Sequence, residues 1–430
     1  MTGRGTARRG RHARPSDQIF RSSFFLMGST VTVAGLGFVF WVLVARLYSP
    51  AQVGLATSLI SAVSLISYLS LFGLNSTLIR FPAPESARNG QLTQAISIVS
   101  GLACVVGALY LLGLPLYGPK LLFVRDRPLL AAAFVVFCAC GALNLLADSA
   151  FVSAKLPQYN VLIDGLVPSV AKLALPFLLV GSGAVGILAS VGGGYVLACA
   201  AALLLLRRQL GFRFDLRARG ARLREQLRFS TASYVSSLLN LAPLLALPLI
   251  VLARLGAQAA GYYYIAFQIA NLLNAISFAV GEAVFAEVST DWSRYGSLLR
   301  RAAAIIAAVQ IPAAAAVALG SGLLLRIFGG SYTAQAQPLL VVLAVGALAV
   351  ALNTWASFAL KLVRKLKHLI LSNVVYAGAT IGLAALWAHH GLVWLGAAWA
   401  AGNLASGLYA LVALLVGPAP EAVPTEERLA

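Results

Sequence analysis

Charge is what this chain has least of. Only 10 % of its 430 residues are Asp, Glu, Lys or Arg, and just 13 of them are acidic. A soluble globule carries about a quarter of its residues charged, so a water-soluble fold is excluded. Histidine is equally sparse: His12, His368, His389 and His390 lie at the edges of apolar runs, and none has ligand spacing to another plus a carboxylate. No metal site is expected. The four cysteines, Cys104, Cys138, Cys140 and Cys199, all fall inside apolar runs and read as small buried hydrophobes. No polar interval exceeds about two dozen residues, which leaves no room for an aqueous catalytic domain; neither an enzyme nor a cofactor is expected. The stretch GSGAVG at 181–186 has the spacing of a dinucleotide loop, but no strand and no distal acid frame it.

What is present is apolar: 60 % of the residues are hydrophobic. About 20 residues of helix cross a bilayer, and on that measure twelve runs emerge: 23–46, 54–79, 92–115, 129–152, 160–181, 185–206, 230–253, 261–286, 299–325, 336–360, 369–388 and 392–416. The formal charge of +19 would suggest nucleic acid in a soluble protein. Here the arginines lie between apolar runs, where they fix orientation, and no nucleic-acid partner is expected. With the N-terminus inside, 25 of the 32 Lys and Arg fall on the cytoplasmic side and 6 outside, with Lys172 alone well inside a span. The reading is a multi-pass protein of the cytoplasmic membrane with both termini inside.

The longest basic interval inside the apolar region, Arg207 to Arg228, divides the chain near its middle and carries eight arginines. The halves on either side repeat. ARLYSPAQVG at 45–54 is echoed by ARLGAQAAG at 253–261, the segment around Gly73 by that around Gly281, and Asn144 by Asn353. Since each half holds six spans, an even number, the halves share one orientation and are related by an axis along the membrane normal. The expected fold is therefore all-α, with about twelve transmembrane helices in two six-helix lobes around a central cavity. The expected divisions are a basic tail (1–22), an N-lobe (23–206), a basic linker (207–228), a C-lobe (229–416) and a C-terminal tail (417–430).

Polar residues within spans are costly and face a cavity or a partner. On the fourth span, Asn144, Asp148 and Lys155 share a face; on the fifth, Asn160, Asp164 and Lys172 do. The seventh span adds Asn240 before Pro243 and Pro248, and the eighth adds Asn271, Asn274 and Glu282. Amides in such places either line a path or bind helix to helix. Arg46, Arg80 and Arg254 sit at helix ends, as interfacial anchors or as captors of phosphate.

Twelve spans in two lobes, a basic loop between them, and ARLYSPAQVGLATSLISAVSLISYLSLFGLNSTLIRF after the first helix resemble the polysaccharide flippases of the multidrug, oligosaccharidyl-lipid and polysaccharide exporter superfamily. The resemblance spans about 20–416. It implies movement of undecaprenyl-diphosphate-linked oligosaccharide between leaflets by alternating access, with membrane lipid and the pathway's glycosyltransferases and polymerase as partners. The twelve helices differ from the fourteen typical of the peptidoglycan-precursor branch. On this reading Lys172, with Arg46 and Arg254, engages the diphosphate, while Asn240, Asn271, Asn274 and Asn144 contact sugars. Two alternatives stay open: a multidrug exporter of the same fold, favoured by Asp148, Asp164 and Glu282, and a non-transporting scaffold for glycan enzymes.

Overall fold

The computed structural model describes residues 35–215, 223–290 and 295–416. The expected tails and the beginning of the first span lie outside the described residues, as do residues 216–222 of the linker and the side chain of Glu282. All regular structure among the described residues is helical. Twelve principal helices follow in order: α1 Gly35–Leu47, α2 Pro50–Leu71, α3 Glu85–Tyr117, α4 Pro128–Ser153, α5 Gln158–Leu178, α6 Ala184–Leu210, α7 Leu223–Leu255, α8 Ala257–Thr290, α9 Tyr295–Leu319, α10 Gly330–Leu362, α11 Leu366–Trp387 and α12 Leu392–Leu415. Eleven contain a stretch long and apolar enough to cross a membrane, and α1 is the described part of the first expected span.

Local chemistry sets the boundaries. Before α2, Ser49 Oγ accepts from the Gln52 amide and Gln52 Oε1 accepts from the Ser49 amide, a reciprocal cap with Pro50 at the first turn. The apolar run expected to continue to 79 instead breaks, because Phe72 (φ 46°) and Gly73 (φ 82°) are both left-handed. A separate short helix, Leu74–Arg80, follows. The ninth expected span is likewise divided: α9 ends at Leu319, and Ser321–Arg326 forms its own short helix.

The helices on either side of the linker run past the expected spans. Helix α6 runs through Arg207 and Arg208 to Leu210, and α7 starts at Leu223. Arginine is a good helix former whose stem can lie along apolar surface, so basic residues need not end a span. The chain leaving α6 is pinned: Phe212 is buried, and the Arg213 and Asp215 amides donate to Asn89 Oδ1 and Thr93 Oγ1 of α3.

The two halves use one packing scheme. In the first, α3 and α6 pack on α4, α5 on α6, and α2 on α4; in the second, α9 and α12 pack on α10, α11 on α12, and α8 on α10. Two lobes result. The repeat extends to backbone strain, because Lys155 (φ 60°) and Arg364 (φ 53°), the non-glycine left-handed residues after α4 and α10, are 209 positions apart. Lys155 therefore lies beyond the end of α4 at Ser153 and does not share the helical face of Asn144 and Asp148. Between lobes, α2 packs against α8 and α7.

Candidate functional site

The lobes come into backbone contact where α2 and α8 begin, at the end of the molecule that the charge count assigns to the outside. A Cβ on Gly54 would stand 1.8 Å from the Ala257 carbonyl oxygen, and one on Gly261 would stand 2.0 Å from that of Pro50. These glycines close the two copies of the repeated motif. With no side chain at either position the backbones touch, the packing that small residues permit between membrane helices. Cations then bridge the lobes. Arg46, beside the end of α1, donates from Nε to the Ile327 carbonyl and from Nη2 to that of Arg326, each at 2.8 Å. Lys120, between α3 and α4, donates to the Leu252 carbonyl of α7 at 2.9 Å. Both use the same kind of contact, from a segment at this end of one lobe to carbonyls of the other. Arg254 is exposed nearby.

Deeper in the N-lobe, α4 and α5 bring the expected polar residues together. Asn144 is buried and donates from Nδ2 to Asp164 Oδ1 at 2.7 Å. Asn160 Nδ2 donates to the Asp148 backbone carbonyl at 3.3 Å. The carboxyl groups of Asp148 and Asp164 adjoin, and Tyr68 of α2 lies within their electrostatic reach. Lys172 is partly buried and acts on Asp164 through space, and no hydrogen bond joins them among the described residues. The cluster is short of donors: Asn144 Oδ1, Asp148 Oδ1 and Asn160 Oδ1 are buried without a partner. Such orphans are rare in folded proteins and call for a further donor. Asp164 sits in a π-helical turn, Val161–Leu166, a distortion found often at functional positions.

The C-lobe holds the counterpart. Asn353, Ser357 and Asn373 stand 209 positions after Asn144, Asp148 and Asp164. They line one cleft of about 310 Å³ between α7, α8, α10 and α11, together with Asn240. Asn373 Nδ2 donates to Ser236 Oγ at 2.8 Å, tying α11 to α7. Asn353 belongs to a buried network in which its Nδ2 donates to Asn403 Oδ1 and its Oδ1 accepts from Ser406. The acidic pair of one lobe is thus replaced by a hydroxyl and an amide in the other.

The remaining expected residues lie elsewhere. Asn274 Nδ2 donates to Asn271 Oδ1 at 2.9 Å; Asn274 is buried and Asn271 exposed. One turn on, Ser277 bonds Gln310 of α9, whose amide reaches the Ala347 carbonyl of α10, so this part of α8 joins helices. Sequence reasoning missed Gln310, Tyr68, Ser357 and Asn373. The last two were open to discovery by extending the Asn144–Asn353 register.

Comparison with known proteins bears on the family and the fold. Residues 19–285 match the family model described as "Polysaccharide biosynthesis protein". No curated protein matches the sequence. Among solved structures, the chain is similar to the lipid II flippase MurJ in an inward closed conformation, at 13 % identity and a TM-score of 0.76, over 94 % of this chain and 89 % of that one. It is similar to an inward-facing multidrug resistance MATE family transporter of the MOP superfamily at 14 % identity and a TM-score of 0.68, over 89 % and 93 %. A third likeness is to a MOP superfamily transporter from Pyrococcus furiosus, at 14 % identity and a TM-score of 0.61, over 93 % and 95 %. At these identities the likeness establishes the fold.

Proposed function

The chain belongs to the polysaccharide biosynthesis protein family, and from that premise we propose that it is a flippase moving undecaprenyl-diphosphate-linked oligosaccharide across the cytoplasmic membrane by alternating access. The observation that carries the reading is the pair of polar clusters, one per lobe at the same repeat register, below an end where the lobes are in backbone contact. A scaffold would need no such interior. The lobes are taken as 23–206 and 229–416, joined by the basic linker 207–228, with both termini cytoplasmic. No bond is made or broken.

In this mechanism the headgroup enters from the arginine-rich, cytoplasmic side while the lipid tail stays in the bilayer. Lys172 supplies positive charge for the diphosphate inside the N-lobe, and Arg46 and Arg254 meet it at the outer end. Arg46 would exchange its two carbonyl partners for phosphoryl oxygens, which accept more strongly because they are charged. Rocking of one lobe against the other then exposes the headgroup outside. Glycosyltransferases and a polymerase act before and after it.

Replacing Lys172 with Ala is expected to lower glycan export at least tenfold, with lipid-linked oligosaccharide accumulating and protein abundance retained. Export and abundance, measured together in cells, check this. Unchanged export removes Lys172 from the mechanism. The adjoining Asp148 and Asp164 favour one second reading, a multidrug exporter taking cationic compounds. Under that reading the Lys172→Ala variant exports glycan normally and changes drug susceptibility.

A further inference from the structure

The C-lobe cleft differs in chemistry from its N-lobe counterpart, although both stand at one repeat register. Where Asp148 and Asp164 make the N-lobe position acidic, Ser357 and Asn373 make the C-lobe position neutral. The cleft is lined by the uncharged polar residues Ser236, Ser237, Asn240, Thr354, Ser357 and Asn373, with Asn353 and one cation, Lys361, also on its wall. Two of them are already used, since Asn373 donates to Ser236. The side chains of the other four, Ser237, Asn240, Thr354 and Ser357, make no hydrogen bond among the described residues. Thr354 is only 7 % exposed, and it lines the cleft. Three hydroxyls and an amide offer both donors and acceptors to a ligand in the cleft.

Aromatic rings complete the wall. Phe278 of α8 is 47 % exposed, and Phe358 lies beside Ser357 with the Lys361 ammonium 4.7 Å from its ring centroid. The volume of about 310 Å³ is at the small end of ligand pockets, enough for one ring-sized group. With the Lys361 ammonium engaged on the Phe358 ring, the rest of the lining is uncharged. A ligand that fits has hydroxyls around its rim and apolar C–H faces above and below. Those are the properties of a pyranose ring.

We propose that this cleft is the sugar-reading subsite of the transporter. Asn240, Ser237, Thr354 and Ser357 bond the hydroxyls of one sugar of the cargo, and Phe278 and Phe358 cover its C–H faces. The subsite rests on the flippase reading and adds to it a division of labour. The N-lobe takes the charged part of the headgroup and the C-lobe takes the neutral ring. Specificity for the glycan then lies on α7 and α10, because hydroxyl-pairing groups left without a partner penalise a wrong sugar more than an apolar wall does.

The test uses the purified full-length protein and two probes, polyprenyl diphosphate and the same lipid bearing one N-acetylhexosamine, with binding measured by native mass spectrometry. Wild type is expected to hold the sugar-bearing lipid about tenfold more tightly. In Asn240→Ala/Ser357→Ala that ratio is expected to fall below threefold. Phe278→Leu, a change at a half-exposed position that leaves the hydrogen-bonding groups in place, is expected to lower it in part. A double variant that keeps the full ratio, or that loses both lipids equally, overturns the subsite. A wild type that binds both probes equally overturns it as well while leaving the flippase reading intact. A wild type that binds neither lipid overturns the flippase reading itself.

Discussion

Gly54→Ala is expected to open the end of the protein where α2 and α8 begin, the outer end in the proposed orientation, and to lower export at least tenfold. The added methyl has nowhere to go: its position is 1.8 Å from the Ala257 carbonyl oxygen and 2.7 Å from the Gly261 nitrogen, both backbone atoms of α8. No rotamer relieves a clash with backbone, so α2 and α8 must part. Overpacking of this kind costs about 1–3 kcal/mol, which shifts the balance between closed and open ends roughly 5- to 150-fold. Gly261→Ala, which meets the Pro50 carbonyl oxygen at 2.0 Å, should behave alike, since the two glycines are copies of one position. The measurement is labelling by a membrane-impermeant thiol reagent of a cysteine placed at Ser58, in a protein stripped of its four native cysteines. Ser58 is fully buried in the seam, where its hydroxyl contacts Gly54 and Pro248 carbonyls. Labelling from outside should be slow in the parent and at least tenfold faster with Ala at 54. Gly101→Ala is the control, because a Cβ there meets nothing within 4 Å. Equal labelling of all three proteins would mean that the Gly54–Gly261 contact does not seal this end.

Much of the architecture could be read from the sequence because the bilayer imposes one length on every span. The runs at 129–152 and 392–416 differ from α4 and α12 by a residue or so at each end. The run 54–79 misled because Phe72 and Gly73 interrupt the helix without interrupting hydrophobicity. Backbone handedness leaves no mark on an apolar count. The site was legible in part for a related reason. Asn144, Asp148, Asp164 and Lys172 stood out because charge and amides are rare inside spans. Ser357 and Thr354 did not, since a hydroxyl in a membrane helix usually bonds its own backbone, as Ser70 does with the Ile66 carbonyl. Arg46 shows the limit: its partners, Arg326 and Ile327, lie 280 and 281 positions away, and nothing local to Arg46 marks them.

The N-lobe cluster yields the last and most discriminating expectation: Asp148→Asn should cost transport and leave stability unchanged or raised. The parent cluster holds three buried acceptor atoms with no donor, on Asn144, Asp148 and Asn160. Each unsatisfied buried group costs about 1–3 kcal/mol, and a cluster built only to hold α4 against α5 would not carry three. The amide that replaces the carboxylate would bring two N–H donors at nearly constant volume, able to serve the orphan oxygens of Asn144 and Asn160. It would also place no second carboxylate beside Asp164. The protein should therefore melt at the same temperature or a few degrees higher, about what 1 kcal/mol gives in a chain of this size or smaller. Transport should move in the opposite direction. If the free acceptors exist to take donors from the cargo or a coupled ion, satisfying them internally removes a charged hydrogen bond, about 1.5–3 kcal/mol or roughly 10- to 150-fold in export. Thermal unfolding in detergent and export in cells, taken on one preparation series, separate the possibilities. A lower melting temperature with export reduced only in proportion to abundance would make the carboxylate structural. A stable variant that exports normally would remove Asp148 from the path and leave Asp164, with its Asn144 partner and its π-helical turn, as the acid that matters.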